Sequence, residues 1–197
     1  MVSSYDFQSL NLALYQELFE LDLFNYALKT FTPAEFEAAG IDKAGQDLIR
    51  FMGEQEVSRH SREYGTPPST PFPVRRPTTR ADGIGQIGHS EAIISIIGPE
   101  RASRQCTYAY PFTTVEQFIL FAQIATRVGE SGVIGFIPHL DSRPSAELVL
   151  LAITTESRQQ MVLRQFQGLF PFPVWVETPI SQSMYVSKSD SRFAKSN

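Results

Sequence analysis

The chain is poor in sulfur: its 197 residues include one cysteine, Cys106. A lone thiol closes no internal disulfide, so the framework that staples small secreted domains is excluded, and Cys106 reads as a buried or incidental thiol. Positive charge is not in excess either. The 17 basic and 21 acidic residues leave a net charge of −4, which argues against nucleic acid or an anionic membrane surface as partner. Long apolar runs are missing, and the longest, residues 148–153, is far too short to span a bilayer. The opening Met1-Val2-Ser3-Ser4-Tyr5-Asp6 has no basic and no apolar leader region, so no signal peptide is encoded. These absences together predict a soluble, intracellular product; they do not specify an oligomeric state.

What is present is a helical pattern. With 42% hydrophobic residues the chain can bury one sizeable core, and its length favours one domain. From Phe7 to Lys29, Leu10, Leu14, Leu21, Phe24 and Leu28 recur on one helix face, and Glu17 occupies the remaining position of that stripe. A carboxylate amid apolar residues is the informative feature, because burying it is costly unless it is paired or bound to a cation. Glu20 is the alternative on this helix, about 60° off the stripe. A second segment starts at the N-cap candidate Asp42 and carries Ile49, Met52 and Glu56 on one face. A third opens at Thr113 or Thr114 and runs through Phe118, Ile119, Ala122 and Ala125 to Glu130, flanked by Gly129 and Gly132, small residues that let a neighbour approach. The fourth, about 145–168, has Val149, Ala152, Ile153, Leu163 and Phe166 on the face that also carries Glu156, and stops at Gly168 before Pro171 and Pro173.

The texture breaks between the second and third segments. Residues 58–87 hold five of the 13 prolines and five arginines against Glu63 and Asp82, and read as an extended, polyproline-like or disordered insert that cannot continue a helix. Regular chain resumes at Gly88-His89-Ser90-Glu91. Residues 185–197 read as a frayed tail. Gly129-Glu130-Ser131-Gly132 lacks the strand–turn–helix setting of a nucleophile elbow, and the alternate glycines of 82–88 follow no strand. His139, Asp141 and Arg143 read as a structural corner with Asp141 or Ser142 as cap, and residues 169–176 as a proline-rich aromatic strap covering the bundle.

Several runs carry a resemblance: Asp6-Phe7-Gln8-Ser9-Leu10-Asn11-Leu12-Ala13-Leu14-Tyr15-Gln16-Glu17, Gln105-Cys106-Thr107-Tyr108, Gly129-Glu130-Ser131-Gly132, His139-Leu140-Asp141-Ser142-Arg143, and Thr155-Glu156 onward to Phe170-Pro171. In these the chain resembles the fungal ferritin-like proteins of the Rds stress-response and late-sexual-development type, over residues 5–184 apart from the insert. The resemblance implies an all-α, ferritin-like four-helix bundle with a long crossover between its second and third helices. It also implies a second helix reading Glu-Val-Gly-His without interruption, whose halves here are Glu56-Val57 and Gly88-His89. On that ground residues 58–87 read as a retained in-frame intron or an equivalent gene-model error. Members of the family tend to carry a secretory leader and a further C-terminal region, so both ends read as truncated and a native leader would make the product secreted.

Carboxylate-bridged di-metal bundles take single glutamates from two helices and a Glu-x-x-His pair from each of the others. Mapped on this chain, Glu17 and Glu130 are the single carboxylates, Glu56 with His89 one pair, and Glu156 opens the other. Gln159 stands where its histidine is expected. His60, four residues after Glu56, belongs to the insert. The leading expectation is therefore a buried glutamate network, with Arg127, Arg158 or Arg164 and Gln123, Gln159 and Gln160 as partners, that lacks a complete di-metal site. The alternative is a di-iron or di-manganese carboxylate protein, since hard oxygen donors with few histidines suit iron or manganese over copper.

Overall fold

The computed structural model describes residues 2–56 and 88–193, with side chains as far as Ser187. Every regular element among them is helical. Helix α1 (Ser4–Thr30) is capped by Ser3, whose hydroxyl accepts from the Asp6 N–H; the short α2 (Pro33–Ala38) starts in a Thr32/Glu35 capping box. Helix α3 (Lys43–Gln55) begins at Asp42, whose side chain accepts from the Gly45 N–H. Helix α4 (His89–Ile97) ends at Gly98. Then come α5 (Val115–Phe136), capped by Thr114, α6 (Arg143–Phe166), capped by Ser142, and α7 (Gln182–Phe193). The insert read at 58–87 lies outside the described residues, as does His60.

Helix α1 is the bundle's centre, packed on α3, α4, α5 and α6, and α5 packs on α6. The apolar side chains form two clusters along the axis. One joins Phe24, Phe31, Ile49, Phe112, Phe118 and Leu163; the other joins Leu10, Leu14, Ile93, Ile97, Val133 and Ile153. Each such fully buried side chain contributes roughly 1.5–3 kcal/mol. Their order along each helix sets direction. Helix α1 and α6 run one way, while α3, α4 and α5 run the other, so the chain must return the length of the bundle between α4 and α5. It does so alongside α1: the Ser103 N–H donates to Asn11 Oδ1 (2.8 Å), Gln105 to the Leu18 carbonyl (3.1 Å), and the Tyr110 hydroxyl to Asp22 (2.6 Å). This is the long crossover expected of the fold.

The corner after His139 is tied to α1. Buried Asp6 accepts from the N–H groups of Asp141 (2.7 Å) and Ser142 (3.0 Å), tying the α5–α6 connection to the start of α1. Two expectations change. The tail after Met184 is helical as far as Phe193, and Tyr185 is buried, its ring against Phe136. The residues that admit it are glycines of α5: a Cβ on Gly132 would lie 2.6 Å from the Tyr185 ring, and one on Gly135 would lie 2.0 Å from the Ile180 carbonyl oxygen. The strap at 169–176 does not cover the bundle, for Phe170, Phe172 and Trp175 face solvent. Prolines at 171 and 173 keep it extended, and Arg164 anchors its start by donating to the Phe170 carbonyl (2.7 Å). Of the two readings of Cys106, the incidental thiol fits, for it is exposed.

Candidate metal centre

Between the two apolar clusters lies a polar layer. Glu17 follows Leu14 on α1, Glu56 follows Met52 at the end of α3, His89 opens α4, and Glu156 follows Ile153 on α6, so the helical period that packs the core turns these groups inward as well. The carboxylates of Glu17, Glu20, Glu56 and Glu156 are all buried. His89 Nδ1 lies 2.9 Å from Glu17 Oε2 and 3.0 Å from Glu56 Oε2. One ligand atom each from Glu17, Glu56 and His89 falls within 4.8 Å of the others.

Glu56 and His89 meet where the end of α3 abuts the start of α4. The Ser90 N–H donates to the Glu56 carbonyl (3.3 Å), as does the Ser90 hydroxyl (2.6 Å). Excision of 58–87 would leave Ser90 four residues after Glu56, the spacing of an α-helical backbone bond.

Four buried carboxylates facing one imidazole cannot all be charged. Burial alone would raise the Glu17 carboxyl, but the His89 imidazolium beside it and hydrogen bonds from its neighbours hold it below the usual carboxylate range. Burial would likewise discharge His89, yet the charges of Glu17 and Glu56 push it up to about 12. The protons collect on the rest. Burial, then the Glu17 charge, raises Glu20 to about 8 and lifts Glu56 well above its ordinary value; burial, then Glu17 and Glu20, does the same to Glu156.

Among the other expected residues, Glu130 is buried on α5 but engaged elsewhere. It accepts from Arg127 (3.0 Å) and from the Ser157 hydroxyl (2.7 Å), and Arg127 also pairs with Glu177. Gln159 donates to Glu56 Oε1 (2.9 Å), and Gln123 and Gln160 bond each other across α5 and α6. Among the described residues Glu156 has no arginine partner. Glu20, the second choice on α1, belongs to the acidic layer, and its only sequence signal was its spacing from Glu17.

The donor set fits a divalent cation. Both oxygens of Glu156 and Oε2 of Glu20 are buried and accept no hydrogen bond, and hard carboxylate oxygens with one imidazole suit iron or manganese. The amide of Gln159 spends its N–H on Glu56, so the position expected to hold a second imidazole carries a donor.

Residues 80–169 match the ferritin-like domain family. The fold is ferritin-like. The chain is 50% identical over 181 residues, 92% of its length, to Protein rds1 of Schizosaccharomyces pombe, and those residues span 37% of that relative. The likeness to Rds-type ferritin-like proteins of fungi thus covers nearly all of this ferritin-like chain, which itself spans little more than a third of the curated relative it matches. No helix among the described residues is long and apolar enough to cross a membrane.

Proposed function

We propose that this ferritin-like chain binds one divalent cation, iron or manganese, in the layer between its two apolar clusters. Glu17, Glu56 and His89 would hold it, with Glu156 beside them. The observation that carries the reading is the pair of Glu156 oxygens, buried and accepting no hydrogen bond from the described residues in a layer crowded with other carboxylates. Such groups need either a cation or protons to be tolerated there. A bound cation would supply positive charge in place of those protons; Glu17 and Glu56 would hold it, and the α3 end and α4 start keep His89 facing both carboxylates.

The second reading is a closed acid network without metal, linked to stress or development through the Rds-type resemblance. It is favoured by the short His89–Glu17 contact and by the Gln159 N–H on Glu56, both of which satisfy carboxylates internally. Metal analysis of the purified chain after anaerobic reconstitution with Fe(II) or Mn(II) separates the two. About one metal per chain, lost in Glu17→Gln and Glu56→Gln, is expected of the cation site. Absence of metal after reconstitution refutes it.

We further infer that residues 58–87 are an insertion into one helix made of α3 and α4. The Ser90-to-Glu56 backbone bond supports this, since it has the register of an uninterrupted helix once those residues are left out.

A further inference from the structure

Outside the groups already assigned to the cation, a buried hydrogen-bond chain leads from the last helix to the acidic layer. The Tyr185 hydroxyl donates to Gln16 Oε1 (2.7 Å), and Gln16 Nε2 donates to Glu20 Oε1 (2.6 Å), with a longer bond to the Ala125 carbonyl (3.4 Å). All three side chains are buried. A side-chain amide has one accepting and one donating end. With its oxygen engaged by the tyrosine, Gln16 can only present its N–H to Glu20. One oxygen of Glu20 is thereby fixed, and the other, Oε2, is buried beside Glu17 and Glu156, with the Thr126 hydroxyl of α5 the other side chain that turns to this carboxylate.

The fit around this chain is close. Gln16 occupies the notch at Gly129, where a Cβ would stand 2.6 Å from its Cδ, and the Tyr185 ring occupies the next notch, at Gly132. The two glycines of α5 therefore admit two successive members of one chain, and Tyr185 arrives from 169 positions further along the sequence than Gln16.

We propose that Tyr185 and Gln16 are positioning residues which hold Glu20 as a further carboxylate donor to the cation, so that docking of α7 sets the affinity of the site. The inference rests on the cation reading above. It assigns Glu20 the place on the layer that Glu130, turned to Arg127 and Ser157, does not take. Tyr185 touches no metal; it acts through Gln16.

The test is Mn(II) binding by the full chain, followed by calorimetry and by the electron paramagnetic resonance of the bound ion. Tyr185→Phe removes only the hydroxyl and keeps the packed ring. Loss of an outer-shell partner typically weakens metal affinity about 10–100-fold, and about 10-fold is expected here, with an altered spectrum and a little-changed metal-free melt. Gly129→Ala, which displaces Gln16, should weaken binding in the same direction. In a Glu20→Gln background Tyr185→Phe should cost nothing further, because the tyrosine acts through that carboxylate. Wild-type affinity in Tyr185→Phe, or an undiminished loss in the Glu20→Gln background, overturns this inference alone. A wild-type chain that binds no Mn(II) overturns the cation reading and this one with it.

Discussion

Glu156 concentrates the cost of this site in one side chain. In the metal-free protein its carboxyl is held neutral in the fold but ionises in the unfolded chain near its ordinary value of 4.5, and Glu20 and Glu56 behave alike. For a group raised on folding, stability is full below the unfolded value and falls as pH rises toward the folded one. The metal-free melting temperature should therefore begin to drop at about pH 5 and keep falling through about pH 8, where Glu20 titrates, with His89, pushed up to about 12, adding to the fall above its ordinary 6.5. Glu17, held low, acts oppositely and only in acid. Glu156→Gln, whose amide can donate to Glu17, should recover on the order of 1 kcal/mol at pH 8 and flatten the profile. Thermal melts across that range check it, and a slope unchanged by the substitution would count against the assignment. At this scale the sequence was legible where one stripe dominates: Leu10, Leu14 and Phe24 place Glu17 at once. It was not legible for Glu20, because α1 is surrounded by neighbours and buries a wider arc than one stripe. For Glu130 periodicity left two readings, a ligand or a partner of Arg127 three residues back on the same helix, and the Arg127 pair is the one that forms.

Among the elements, the interrupted helix is the most exposed to experiment. A chain lacking 58–87 should fold with α3 and α4 as one helix, keep the Glu56–His89 juxtaposition, and bind metal at least as tightly as the full chain. Circular dichroism and the same Mn(II) titration test this; a shortened chain that loses helicity or metal would refute the continuous register. The composition of the insert marked the break, and the Glu-Val-Gly-His reading explained why its two sides belong together. Helix α7 escaped notice for a physical reason. Its serine- and lysine-rich sequence is poor in apolar residues, and its place is fixed from outside, by glycines of α5 and by the Ile180 N–H on the Ser131 carbonyl (3.0 Å). Docking surfaces supplied by another element leave only faint traces in a segment's own pattern.

For the molecule as a whole, the helical stretches were readable from apolar stripes and caps, the bundle topology with its long crossover was implied by the resemblance, and the direction of each helix follows from the two clusters it joins. The strap was misjudged because aromatic residues between prolines suggest burial, whereas a short extended segment anchored at its ends can leave them outside. That has an optical consequence. The chain has a single tryptophan, Trp175, and it is fully in water, at 104% relative exposure. Its emission should already peak at the long wavelength of a hydrated indole in the folded protein and barely move on denaturation, while far-ultraviolet ellipticity collapses. A blue shift would report one event only, the arrival of something on the strap, which makes this residue a built-in lamp for encounters at the surface and a blind witness to the folding of the core.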